Sequence, residues 1–299
     1  MNTTTDLQTF DTTSLFPLDD RGALITEVWR GPRERPRSLA PWMFYDAEGS
    51  RLFERITSLP EYYPARTERD ILTNHAGAII TAAASDSFRP LRLVELGAGT
   101  AAKTGILLEA AARRNGEVIY LPIDVSSDAL HLACGNIAGM FPHIQLRPLV
   151  ANYVIHPPRL DRFFGTTLAV YIGSSIGNFS PEDARIILRN LRSELKTGDA
   201  MLLGTDMVKD EATLVRAYDD TDGVTAAFNL NLLHRLNREL GANFNVDSFR
   251  HRARWNGSDS RVEMHLESTC KQRVRIPAAR LDSVRRVRNH PHGEQLQVQ

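Results

Sequence analysis

Glu95, Gly97, Gly99, Lys103 and Asp124 are the residues whose types and spacing best suit chemistry on a nucleotide-like ligand. The first four lie within "LVELGAGTAAKT" at 93–104. There an apolar run meets glycines and then a helical pattern, a strand–turn–helix device that presents helix-end amides to an anion. Several ligands use such a turn. A phosphate loop needs GxxxxGK[ST], and that spacing is absent. A dinucleotide fingerprint GxGxxG/A fits loosely, through Gly97, Gly99 and Ala102. Two neighbours favour a methyl donor that carries amino and carboxylate groups. Glu95 sets a negative charge where a pyrophosphate is repelled and an aminated sulfonium is welcome. Lys103, at the first helical turn, suits a single carboxylate. Asp124 ends a second apolar run, "YLPID", where an acid can take both ribose hydroxyls in either cofactor class. It supports adenosine without choosing the donor. The plain alternative is that Gly97 and Gly99 only turn the chain and Asp124 only caps a helix.

These residues need a scaffold that brings strand ends together. Strand and helix patterns alternate from "LRLVELG" through "AAKTGILLEAAARR", "EVIYLPIDVS", "SDALHLACGNIAGMF", "HIQLRPLVAN", "TTLAVYIGSSIGNF" and "PEDARIILRNLRSEL" to "DAMLLGTD". Such alternation predicts parallel strands with covering helices. After 206 the register changes. "GVTAAFNLNLLHRLNREL" is an amphipathic helix with Phe228, Leu232, Leu233 and Leu236 at helical spacing, and "VDSFRHRARWN" and "SRVEMHLESTCKQRVRI" alternate like antiparallel strands. Upstream, "SRLFERITSL" puts Leu52, Phe53, Ile56 and Leu59 on one helical face. The fold class expected is α/β: a Rossmann-like domain over 62–206, with a smaller α+β domain from 20–61 and 207–285. A flexible arm at 1–19 and an atypical tail at 286–299 flank them.

Acidic and basic residues balance at 36 each, so no basic field calls for nucleic acid. Cys134 and Cys270 have no CxxC partner, and no metal site is expected. No run approaches a membrane span, and the N-terminus lacks the basic start and apolar core of a secretory signal. The expected protein is cytoplasmic and monomeric, with a small-molecule substrate.

The string "FYDAEGSRLFERITSLPEYYPARTERDIL" at 44–72 has no simple structural necessity. It resembles the opening signature of the histidine-specific N-methyltransferases, ergothioneine-pathway enzymes that trimethylate the α-amine of L-histidine to hercynine. The likeness continues through "LVELGAGTAAKT", "LPIDVSSDAL", "YIGSSIGNFSPEDA", the stretch from "LLGTDMVKDEATLVRAYDD" to "NRELGANF", and "RVEMHLES". It implies a Rossmann-like class I methyltransferase domain, a substrate-binding role for the smaller α+β domain, and S-adenosylmethionine as the methyl donor. It also implies Tyr45 and Phe53 near donor and substrate, Tyr62 and Asn178 on the substrate amine, Tyr218 on its carboxylate, and Met264 in the pocket wall. Gly97, Lys103 and Asp124 match donor-binding positions. Asn152 and Tyr153 stand where the family often has Asp-Phe, and the Asn carbonyl can still bond the adenine amino group. Met264 and Phe53 serve equally well as core fillers, Tyr62 as a partly buried anchor and Tyr218 as a helix-face aromatic. No residue is needed as a strong general base, and none is assigned as catalytic.

The tail departs from this resemblance. Family members end in a strand like Ile-Arg-Thr-Glu-Asn-Ser-Tyr-Lys-Tyr, whose Glu and Ser grip the imidazole. This chain reads "NHPHGEQLQVQ", which is polar and lacks alternation. A permitted coding of that tail, read one base out of frame, gives the family's string, so a frameshift before Asn289 is one explanation. Glu294 falls near the acidic position, in the wrong surroundings. On this reading the histidine grip and a closing strand are lost. Two alternatives therefore stand beside histidine methylation. One is methylation of another amino acid's amine, as in fungal relatives that act on a prenylated tryptophan. The other is a catalytically silent donor-binding protein.

Overall fold

The computed structural model describes residues 20–30, 38–84, 89–154, 157–283 and 295–298. The arm expected at 1–19 and the tail from 286 to 294 lie outside the described residues. The helices are α1 (Asp20–Arg30), α2 (Ala47–Thr57), α3 (Tyr63–Ala83), α4 (Thr104–Asn115), α5 (Ser127–Met140), α6 (Pro181–Glu194), α7 (Glu211–Arg216) and α8 (Val224–Leu240). The strands are β1 (Ser38–Leu39), β2 (Leu91–Leu96), β3 (Val118–Asp124), β4 (Gln145–Leu146), β5 (Leu149–Val150), β6 (Thr166–Tyr171), β7 (Ala200–Leu203), β8 (Phe249–Asn256), β9 (Arg261–Ser268), β10 (Val274–Ile276), β11 (Leu281–Ser283) and β12 (Gln295–Val298). Among the described residues no helix is long and apolar enough to cross a membrane.

The chain divides into two compact units. One holds Leu72–Tyr171 and Ile187–Leu202; the other holds Asp19–Ile71, Ile172–Ile186 and Leu203–Gln299. The second of these, the α+β unit, includes the first part of α3 and the turn after β6.

In the α/β unit the sheet order is β4-β3-β2-β6-β7, with β5 pairing β3 off this path. β2 runs parallel to both β3 and β6, with Glu95 opposite Pro122 on one side and Val170 on the other. Every residue of β2 is buried, as are all of β3 except Leu121 and all of β6 except Thr166. Such doubly buried strands need cover on both faces, which explains their near-continuous apolar runs. The strand order reverses at β2, and ligands of such sheets bind beyond the carboxyl ends at the reversal. α4 buries Leu107, Leu108 and Ala111, and α5 starts on a Ser126 side chain that accepts from the Ala129 amide at 3.2 Å.

The α+β unit is organised on α8, whose Val224, Phe228, Leu232, Leu236 and Leu240 form a buried stripe in its core. α2 packs against it and contributes Leu52 and Ile56 to the same core. Asp46 caps α2 through the Gly49 amide at 2.8 Å, and also accepts from Asn231 of α8 at 2.7 Å and Arg238 at 2.6 Å. β8 and β9 pair antiparallel from Phe249 opposite Ser268 to Asn256 opposite Arg261. The sheet order is β1-β12-β9-β8, with β12 antiparallel to β9 from Gln295 opposite Glu267 to Val298 opposite Met264. A closing strand is therefore present at Gln295–Val298, although the tail sequence predicted its loss; the four residues alternate polar and apolar within an otherwise polar tail. Pairing with β9 on one side and β1 on the other supplies its backbone partners.

Candidate active site

In the α/β unit the turn after β2 carries three left-handed residues, Gly97, Gly99 and Ala101, at φ +67°, +52° and +55°. The turn is stitched to the end of β3. The Gly97 and Ala98 amides donate to the Ile123 carbonyl at 2.8 and 3.2 Å, and the Gly99 amide donates to Asp124 Oδ2 at 2.9 Å. Gly97 has a second reason to be glycine, since a Cβ there would lie 2.9 Å from the Tyr153 hydroxyl. A Cβ on Gly99 would meet nothing within 4 Å, so that side of the turn is open to a ligand.

Asp124 is buried, and its other oxygen accepts the Ser126 amide at 2.9 Å. Burial raises its pKa, against the pull of these amides. Each oxygen keeps a further lone pair, the capacity needed for ribose hydroxyls. Lys103 precedes α4 at its N-cap and is half-buried. Asn152 is buried and its Oδ1 accepts the Val154 amide at 3.2 Å. Tyr153 meets the ring of Tyr171 edge to face at 5.9 Å.

Glu95 does not play the part expected of it. Thr104 donates to its Oε1 at 2.6 Å and the Tyr120 hydroxyl donates to its Oε2, so the carboxyl is held inside the unit. Full burial, only partly offset by these two donors, pushes its pKa up to about 7. It ties β2, β3 and the start of α4 together; a charge presented to the ligand is not its contribution. The remaining donor set still fits an adenosine-bearing ligand with an amino-acid end: Asp124 acceptors, the open face at Gly99, and a cation at the head of α4.

In the α+β unit five expected residues join one hydrophobic core, and two of them, Tyr45 and Phe53, meet the ring of Phe228. Tyr45 follows the short 3₁₀ helix Pro41–Phe44, Phe53 lies on α2, Tyr62 precedes α3, Tyr218 follows α7, and Met264 lies on β9. Tyr45 meets Phe53 and Phe228 edge to face at 5.7 and 5.9 Å. Tyr62 meets Phe53 at 6.4 Å and Tyr218 at 5.8 Å, both edge to face. Burial above all drives both phenols upward, Tyr62 well above its ordinary value and Tyr218 to about 12. Neither is a base near neutral pH.

Asn178 sits elsewhere in this unit. β6 ends at Tyr171, Gly173 and Ser174 turn left-handed at φ +82° and +57°, and Asn178 closes the 3₁₀ turn Ser175–Asn178. It is half-buried, and its side-chain amide has no hydrogen-bond partner among the described residues.

Sequence reasoning passed over the supports of this site. Glu68 of α3 takes the Gly173 amide at 2.7 and 3.0 Å on its two oxygens. Gly204 leaves room for it, because a Cβ there would stand 2.3 Å from Glu68 Oε1. Tyr63 donates to Asp206, whose other oxygen takes Lys209 at 2.5 Å, and the Lys209 ammonium lies 4.4 Å from the Tyr63 ring centroid. Phe228 carried only a helical-face signal. The other partners are far apart in sequence, and no local pattern announces them.

A parallel sheet with this turn and acid defines an α/β protein built to hold an adenosine-bearing ligand at its strand ends. The chain belongs to the family described as histidine-specific methyltransferase, SAM-dependent, whose model matches residues 24–292. It is 44% identical over 262 residues to a histidine N-alpha-methyltransferase of Mycolicibacterium smegmatis, covering 87% of this chain and 79% of that protein. To a protein of the same name from Mycobacterium tuberculosis it is 43% identical over 256 residues, covering 86% and 78%. To ergothioneine biosynthesis protein 1 of Neurospora crassa it is 32% identical over 223 residues, covering 73% of this chain and 24% of that protein.

Proposed function

We propose that this protein methylates the α-amino group of L-histidine, forming N,N,N-trimethylhistidine (hercynine), the first step towards ergothioneine. The observation that carries the reading is the aromatic cluster of Tyr45, Phe53, Tyr62, Tyr218 and Phe228 in a chain of this family. Aromatic faces attract a cation, and a quaternary ammonium is the product of exhaustive amine methylation.

S-adenosylmethionine supplies an electrophilic methyl group when bound, with Gly97, Lys103, Asp124, Asn152 and Tyr153 as the residues that hold it. The acceptor must be a neutral amine, whereas an α-amine has a pKa of about 8 and is mostly protonated at pH 7. The Asn178 carbonyl and the Tyr62 hydroxyl accept hydrogens from that amine and orient its lone pair. The proton leaves to water, because neither group can hold it. Tyr218 contacts the substrate carboxylate, and Met264 and Phe53 wall the pocket. Acceleration then comes mainly from fixing the nucleophile in line.

A second reading, methylation of another amino acid's amine, is favoured by the tail. The final strand reads Gln295-Leu296-Gln297-Val298, without the Glu and Ser that the resemblance assigns to imidazole recognition. Initial rates on a panel of amino acids, followed by release of S-adenosylhomocysteine, decide the matter. Histidine turned over fastest supports the first reading, and another amino acid turned over faster selects the second.

A further inference from the structure

His251 of β8 joins three elements without touching the reacting atoms. Its side chain is 2% exposed. Nε2 lies 2.8 Å from the Tyr218 carbonyl oxygen, and Nδ1 lies 2.8 Å from Asn229 Nδ2 on α8. Asn229 is wholly buried and donates from the same Nδ2 to the His265 carbonyl of β9 at 3.2 Å. A carbonyl only accepts, so the amide nitrogen of Asn229 must face that side. Its second hydrogen then meets His251 Nδ1, which must be the nitrogen with the lone pair. The tautomer follows: the imidazole proton is on Nε2 and is donated to Tyr218. This orientation leaves Asn229 Oδ1 buried with no hydrogen-bond partner among the described residues. Buried polar atoms are ordinarily paired, so the two donations by Nδ2 evidently outweigh that loss.

The charged groups around His251 do not reverse this. Asp219 Oδ1 is 4.0 Å from Nε2, and Asp220 spends its oxygens on the Val224 and Thr225 amides at 2.8 and 2.7 Å. Burial is the largest influence and lowers the imidazole pKa below its ordinary value. The ring therefore stays neutral at pH 7 and above.

We infer that His251 is a positioning residue: neutral and protonated on Nε2, it anchors the backbone of Tyr218 so that the Tyr218 side chain meets Tyr62 in the acceptor cluster. The inference rests on the reading of Tyr218 as a substrate contact.

The test is steady-state kinetics of the full chain with L-histidine and S-adenosylmethionine. It compares His251→Ala, His251→Gln and Tyr218→Phe with the unmodified protein and adds ¹⁵N NMR of the imidazole between pH 7 and 9. His251→Ala should raise KM for histidine about tenfold, the worth of one lost hydrogen bond, with kcat within about threefold and donor affinity unchanged. His251→Gln, whose amide can still donate to the carbonyl, should recover most of that loss. NMR should show Nε2 protonated. A raised KM in Tyr218→Phe with no change in His251→Ala overturns the positioning role alone. An unchanged KM in Tyr218→Phe overturns the reading of Tyr218 and the inference with it. If His251→Ala does not fold, the Gln variant and the tautomer decide, and a proton on Nδ1 overturns the inference.

Discussion

Tyr62 and Tyr218 meet edge to face at 5.8 Å, and burial keeps both phenols protonated. Two residues separated by most of the chain thus form one polar spot in an aromatic wall. Removing the Tyr62 hydroxyl leaves that wall intact and deletes an acceptor for the amine. Tyr62→Phe should lower kcat/KM for histidine by about tenfold or more while shifting stability by less than about 1 kcal/mol. Kinetics beside thermal melts check this. A parallel loss of activity and Tm would assign Tyr62 to the core instead.

Gly97 and Gly99 separate backbone strain from steric crowding. Both are left-handed, but only at Gly97 would a Cβ meet the Tyr153 hydroxyl, at 2.9 Å. Gly99→Ala should cost about 1 kcal/mol from the left-handed backbone alone. Gly97→Ala should cost more and weaken donor binding at least about tenfold, because the turn or Tyr153 must shift. Urea unfolding of the two variants without ligand would show equal costs if the Tyr153 contact were unimportant.

Glu95 gives the fold a pH dependence of unusual sign for an acid. Its folded pKa, about 7, lies above the ordinary 4.5, so the folded state binds the extra proton. The stability this contributes is fully present below pH 4.5 and is lost as pH rises through about 7. The change amounts to about 3 kcal/mol. Glu95→Gln cannot ionise and should flatten the urea-unfolding slope between pH 5 and 8. An unaltered slope in that variant would place the pH dependence elsewhere.

Asp46 behaves in the opposite way. Burial alone would raise its carboxyl, but Arg238, the Gly49 amide and Asn231 donate to it and hold its pKa below 3.8. Its contribution is present above about pH 4 and is lost as pH falls through the folded value. Asp46→Ala removes both the cap of α2 and its tie to α8, at an expected cost of about 2 kcal/mol at pH 7. Urea unfolding at pH 7 and pH 3 should show the gap from the unmodified protein narrowing in acid.

How far the sequence could be read depended on distance along the chain. The buried run of β2, its glycine turn and the acid ending β3 stand within a few dozen residues, and their pattern alone placed them at strand ends. The direction of Glu95 was not legible, because its partner Tyr120 lies on a neighbouring strand and only the parallel register brings them together. Phe53 and Met264 read equally as core, and both do pack against the core of their unit. The Glu68–Gly173 and Asn229–His251 contacts join segments with no shared motif. The strand at Gln295–Val298 was hidden for another reason: its Gln-Leu-Gln-Val alternation is only four residues long and follows a polar run at 289–294.

The central claim is methyl transfer to the α-amine of histidine. Its most direct test is mass spectrometry, with fragmentation, of L-histidine incubated with this protein and S-adenosylmethionine carrying a deuterated methyl group. The account predicts successive mono-, di- and trimethylated histidine, with every label on the α-nitrogen and none on the imidazole. Labelled methyl on the ring, or no labelled histidine from protein that still binds the donor, would contradict it.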